Sequence, residues 1–471
     1  MSGVVIYHRG KFVKPFLILV IALAIAASNV LAPMSARADG HEIVLVEQRA
    51  ESDFPNGIRF FIEATSPDEI DDIRVFFKKL GQTSRSTYRK VDFEPGTEIQ
   101  GETLVISGSG GEYIPPGTRI EYAFEIRDTA GRELRTPEVV FVYLDNRFEW
   151  QTLSAGVITL YYNDEGLADR AQEMLDAAQQ TLERMGPVLG IEPKHPLHIV
   201  TYGDYWGEMV DALPFRAQAV RDNLITLGTA FTEERVLLVL NSESSYLDTT
   251  SHEFIHLLVA DAAGRANARV LAWLNEGLAE YGNIVETNEY EGFLSQAIAN
   301  GELRPLWHQN TFSGTPRDIL VGYGQGESVV RFLASTYGEE KIADLIRALK
   351  KTFDIDAALM DTYGIDQYGL DSAWRKGRGL DPLPPPENRV TQQQPTPTPT
   401  APPDPVATPT LAPEVIAQPT PPPPAEENAG DSGSSGCSAP IPGGPLVIDL
   451  AFLMLLVAPL AMLSVGRFRR R

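Results

Sequence analysis

Residues 252–256 read His-Glu-Phe-Ile-His, and residues 273–281 read Trp-Leu-Asn-Glu-Gly-Leu-Ala-Glu-Tyr. The first stretch lies within an apolar-periodic run over 247–259, which predicts a helix. Side chains four apart share one helical face, so His252 and His256 can offer imidazole nitrogens to a single metal ion. Glu253, one position on, falls beside that ion, where it can take a proton from metal-activated water. The second stretch follows at a spacing that permits a returning helix. Its Glu276 is the natural third ligand, giving a His-His-Glu set with a fourth position open, the arrangement of a catalytic zinc site. Glu280, one turn beyond on the same face, is placed to accept the free N–H of a ligand histidine and fix its tautomer. Trp273, Leu274, Leu278 and Ala279 surround the two acids, which argues against an exposed acidic face. The chain's single cysteine, Cys437, leaves no internal disulfide and no cysteine-ligated zinc.

Outward from this pair, residues 149–380 read as mixed α/β. Strands are expected at 157–162, 197–201, 223–227 and 236–240, a helix over 167–189, and mainly helix from there to about 374. Residues 39–148 instead show short alternating segments between turn signals. Ile120, Tyr122, Phe124 and Ile126 alternate with Glu121, Ala123 and Glu125, the period of a half-buried strand. Further strands are expected near 43–46, 58–64, 73–77, 104–106 and 139–143, enough for a β-sandwich. No catalytic constellation appears in this region, whose minimal role is that of a spacer.

The rest of the chain is not globular in character. Residues 1–38 have a basic start, an apolar core and a closing Ala36-Arg37-Ala38, the three parts of a secretory signal peptide. Residues 381–445 hold 20 of the 35 prolines and read as an extended stalk. Residues 446–465 are long and apolar enough for a transmembrane helix, and the arginine-rich 466–471 should remain cytoplasmic. The expected product is an extracytoplasmic protein tethered to the membrane. Hydrophobic residues at 43% and charged residues at 22% exclude wholesale disorder. A net charge of −23 and a pI near 4.8 argue against a nucleic-acid binder.

The paired motifs resemble the gluzincin branch of zinc metallopeptidases, and most closely the peptidase MA-like family of bacterial surface proteins. The matching residues are His252, Glu253 and His256 with Asn275, Glu276, Ala279 and Glu280, within roughly 150–375. The resemblance implies a zincin-like α+β fold, one zinc per chain, a peptide or protein substrate, and Asn275 beside the ligand set. It also implies an oxyanion donor from a Tyr or His downstream of the glutamate ligand. Tyr323, expected to open a helix running to Tyr337, is the first candidate and His308 the second. Metzincins are disfavoured because 257–264 contains no histidine. The Gly-x-Met-Glu-Asn signature of large zinc aminopeptidases is missing as well. The nearest candidate strand reads Leu-Gly-Thr-Ala-Phe over 227–231, which favours an endopeptidase. The β-region resembles immunoglobulin or fibronectin type III modules. The tail around Cys437 resembles three-part bacterial sorting signals, which would make Cys437 a processing or lipid-attachment site and imply a sorting or processing protease. The competing functional reading is a non-catalytic zincin-fold adhesion or scaffold protein, against which an intact Glu253 argues.

Overall fold

The computed structural model describes residues 42–81, 85–108, 112–214, 226–241, 244–285 and 289–386. The expected signal peptide, the apolar segment 446–465, most of the Pro-rich tract and Cys437 lie outside them. Among the described residues no helix is long and apolar enough to cross a membrane.

The N-terminal β-region is organised by one strand. β1 (Val44–Asp53) turns into β2 (Gly57–Lys79), which then pairs along its length with four neighbours: β1, β3 (Thr87–Lys90), β5 (Gly96–Ile106) and β6 (Arg119–Asp128). β4 (Asp92–Phe93) borders β5, while β7 (Glu133–Arg135) and β8 (Val139–Val142) both pair with β6. The two strands expected at 58–64 and 73–77 are therefore one, interrupted by register shifts between Thr65 and Ile70 and between Ile70 and Asp72. Such irregularities bend a strand, and the two halves of β2 close over a common core. Phe60 of the first half meets Phe77 of the second and Tyr122 of β6 at 5.8 and 5.0 Å between ring centroids.

β9 (Gln151–Ala155) begins a second sheet, continuing through β10 (Ile158–Tyr162), α1 (Ala168–Leu189), β11 (Leu197–Tyr202), β12 (Gly228–Phe231) and β13 (Val236–Leu240). Its order is β12-β13-β11-β10-β9, parallel in the middle and antiparallel at both ends. Every residue of β11 and β13 is buried, as expected of strands covered on both faces. Ile199, Leu237 and Val239 pack with the helices, whereas Val200, Tyr202, Leu238 and Leu240 pack into the core of the β-region. The β-region is thus no detached spacer, because it covers the central strands of the second sheet on one face. Gly117 marks the close approach. Its φ of +97° is left-handed, and a Cβ there would stand 2.8 Å from Val200 Cγ2. Polar ties cross the same boundary: Gly117 O to His198 Nδ1 at 2.7 Å, Lys79 to Glu234 at 2.6 Å and Arg147 to Asp211 at 2.7 Å.

On the other face lies α2 (Tyr246–Ala263), buried almost all round, as a helix sandwiched between a sheet and other helices must be. A 3₁₀ segment leads to α3 (Ala272–Gly282). α4 (Glu289–Asn300), α5 (Pro316–Tyr337), α6 (Glu340–Thr352), α7 (Ile355–Tyr363) and α8 (Gln367–Gly377) complete the layer. α5 starts cleanly because Pro316 stands at its first turn and Thr315 and Asp318 cap it reciprocally.

Candidate metal centre

α2 presents His252 and His256 one turn apart, and α3 returns beside it to present Glu276. The Nε2 atoms of the two histidines stand 3.2 Å apart, and each is 3.4 Å from Glu276 Oε2. Among the described residues these three form a group whose donor atoms all lie within 4.8 Å of one another. Glu280, one turn further along α3, places Oε1 2.9 Å from His252 Nδ1. That contact assigns a proton to Nδ1 and turns Nε2 toward the group.

The donor set fits a divalent cation of the zinc type. Glu276 is 2% exposed, and its Oε2 is buried with no hydrogen-bond donor, aimed between two imidazole Nε2 atoms. A buried carboxylate oxygen left so costs free energy unless a cation answers it. Burial works to raise the Glu276 carboxyl, but the His256 and His252 imidazoles outweigh it and hold the group well below the usual carboxylate range. Burial likewise disfavours a charged His252, and the Glu280 and Glu276 carboxylates reverse that, holding its pKa well above the ordinary imidazole value. Two imidazoles and two carboxylates in a buried space make a site that attracts positive charge.

Glu253 is buried beside this group, against the outer strand of the sheet. A Cβ added to Gly228 of β12 would stand 3.0 Å from Glu253 Cγ and 2.5 Å from Thr249 Cγ2. Only a glycine lets β12 lie this close to α2. Tyr323 comes from α5, its ring centroid 6.0 Å from that of His252, stacked on Tyr290 at 5.3 Å and tilted against Phe312 at 5.4 Å. Burial, followed by the negative field of Glu276, raises its phenol well above the ordinary value, so the hydroxyl keeps its proton as a donor. Tyr323 does not open its helix, since α5 begins at Pro316. His308 is exposed at the end of a short 3₁₀ turn with its ring 6.0 Å from Trp307, and the structure does not gather it with the metal-ligand residues. Asn275 is half-buried next to Glu276, outside the ligand group.

Two supports for the site escaped the sequence reading. Asp248, in the first turn of α2, accepts the Asn283 amide N–H at 2.7 Å, which fastens the end of α3 to the start of α2. Ser251 Oγ accepts the Ile284 N–H at 3.1 Å and pairs with Thr181 Oγ1 of α1 at 2.8 Å. The signal was present in part: small polar residues immediately before a metal-binding pair, within a helix otherwise apolar all round.

Residues 177–377 match the family model described as Peptidase MA superfamily. No curated protein matches the chain. Solved structures similar to it include leukotriene A4 hydrolase from Saccharomyces cerevisiae, at 13% identity over 73% of this chain and 69% of that one, TM-score 0.31. An M1 zinc metallopeptidase from Deinococcus radiodurans, bound to a Tyr-Ser-Ala substrate, is similar at 12% identity over 74% and 93%, TM-score 0.34. A bromide derivative of BhCBM56 matches at 16% identity over 20% of this chain and 88% of its own, TM-score 0.15. At these scores the structural likenesses carry no functional assignment of their own.

Proposed function

We propose that this chain is a zinc metallopeptidase holding one zinc through His252, His256 and Glu276. The observation that carries the reading is the convergence of two imidazole Nε2 atoms on a buried, unpartnered Glu276 Oε2, with Glu253 alongside. The match of residues 177–377 to the Peptidase MA superfamily supports it. Zinc, when bound, supplies Lewis acidity, polarising a carbonyl and lowering the pKa of water. The chain's own residues do the rest. Glu253 accepts the proton of the attacking water and passes it to the leaving amine. The Tyr323 hydroxyl, kept protonated by burial, donates to the oxyanion that develops on the substrate carbonyl. Glu280 holds His252 in one tautomer. Among the described residues β12 ends the sheet order, beside Glu253.

We assign the activity to internal peptide bonds. Residues 227–231 along the edge strand carry no acidic side chain to receive a free N-terminal amine. Residues 1–38 and 446–471 support an extracytoplasmic enzyme tethered by a C-terminal helix. The test is metal analysis of the purified protein paired with cleavage of casein and of N-terminally blocked peptides, with and without chelator. Chelator-sensitive cleavage of blocked peptides, lost in His256→Ala together with the zinc, is expected. Zinc content unchanged in His256→Ala would refute the ligand set. Cleavage confined to unblocked N-termini would make the protein an aminopeptidase.

A further inference from the structure

The first N–H groups of any helix lack partners within it, and α3, which carries Glu276, begins without a side-chain cap at Leu271. Its opening turn is answered from a distant segment instead. Asn310 O accepts the Ala272 N–H at 3.0 Å and Gln309 O accepts the Trp273 N–H at 3.1 Å. Where α3 starts therefore depends on where residues 309–310 stand. Glu276 lies one turn from Ala272, so a displaced cap displaces the ligand oxygen.

Buried amides fix that segment. Gln309 is 2% exposed, and its Nε2 donates to Gln325 Oε1 at 3.1 Å; Gln325 is fully buried, and its Nε2 donates to Arg304 O at 3.1 Å. The far side is held by α8, where Asp371 Oδ1 accepts the Leu306 N–H at 3.0 Å and Oδ2 accepts from Arg375 Nε at 2.7 Å. Gln325 belongs to α5, two residues beyond Tyr323. We infer that the Gln309–Gln325 amide pair positions the metal site, pinning the segment that caps the Glu276 helix to the helix that carries Tyr323. The inference rests on the metal-site reading above. Neither glutamine is in the ligand group. Both act through the start of α3.

The test uses the full chain and zinc alone as probe. Gln309→Met, Gln325→Met and the double variant are compared with the parent by chelator competition, circular dichroism and melting of the metal-free protein. Each single variant is expected to fold and to bind zinc about tenfold more weakly, the lower end of the effect of residues that orient ligands. The double variant should be no weaker than the weaker single, because paired groups act as a unit. Ile346→Val, a core change on α6 away from the segment, serves as control. It should lower the melting temperature without altering zinc affinity. Parental zinc affinity in a folded Gln325→Met, strictly additive losses, or an equal loss in the control would each overturn the inference. If Gln325→Met fails to fold, the double variant, which leaves neither amide facing an apolar mate, carries the comparison. A parent that binds zinc but cleaves no peptide sinks the peptidase reading and leaves this comparison standing.

Discussion

Replacing Gly326 by alanine should damage catalysis out of proportion to stability. α3 and α5 touch through glycine: a Cβ on Gly326 would stand 2.6 Å from Trp273 O and 3.2 Å from Gly277 N. One on Gly277 would stand 2.4 Å from Gly326 O. The opposing atoms are backbone, so no side chain can swing aside, and the helices must part by roughly 0.5–1 Å to restore ordinary contact distances. Overpacking of this kind costs about 1–3 kcal/mol, offset by about 1 kcal/mol of better helix propensity for alanine. The net loss of about 0–2 kcal/mol corresponds to a melting temperature lower by a few degrees at most in a domain of this size. The parting falls, however, between the helix of Glu276 and the helix of Tyr323, where a misplacement near 1 Å can cost about 100-fold in rate. Calorimetry and chelator-sensitive hydrolysis on the same preparations read both quantities. Gly292→Ala on α4, where a Cβ meets nothing within 4 Å, is the control. It should gain about 0.5–1 kcal/mol and keep full activity. Gly326→Ala with parental kcat would refute the claim that helix spacing aligns the site.

Further outcomes follow from single groups. Glu253→Gln should retain zinc and lower hydrolysis by at least about 10²–10⁴-fold, since an amide of the same size cannot accept the proton; zinc content and turnover check it. Glu280→Ala should weaken zinc binding by about 10–100-fold without abolishing it, read by chelator competition. Tyr323→Phe should lower kcat by about 10²–10³-fold with KM nearly unchanged, because the hydroxyl engages only the transition state. His198, buried beneath the β-region, has its pKa lowered to about 4, first by burial. Below its unfolded value the unfolded chain binds a proton that the folded chain refuses, so stability falls with falling pH. Between pH 7.5 and pH 5 this group should remove about 2 kcal/mol, and His198→Asn, which keeps a donor toward Gly117 O, should flatten that part of the melting profile.

The candidate metal ligands were legible because their chemistry is local. Spacing of four on a helix, and a second helix with two acids one turn apart, survive whatever surrounds them. What could not be read depends on tertiary contact. Ser66, Pro67, Asp68 and Glu69 break the alternation of β2, so one bent strand reads as two. The continuous apolar runs of β11 and β13 announce burial on both faces, but nothing in them says that the β-region provides the second cover. Gly322, Gly324 and Gly326 are poor helix formers and read as a helix start. They lie inside α5 because the Phe312 ring, Tyr290 O and Trp273 O each press on the space a Cβ would need. The true start was written in Thr315, Pro316 and Asp318, whose capping chemistry is local too.

Double cover of the sheet also sharpens the case for the metal. α2 is buried nearly all round, yet its middle reads Thr-Thr-Ser-His-Glu over 249–253, and polar groups placed there are costly unless answered. Thr250 Oγ1 donates to Tyr246 O at 2.6 Å, and Ser251 finds Thr181 and the Ile284 N–H. His252 Nδ1 and Glu280 Oε1 answer each other across 2.9 Å. Beyond that pair, the unpartnered buried side-chain atoms of α2 and α3 are His256 Nδ1 and Glu276 Oε2, both on residues of the ligand group. The polar accounting of the two helices therefore closes along their length and stays open at the ligand group. A buried carboxylate oxygen before two imidazole nitrogens is an arrangement that a cation satisfies.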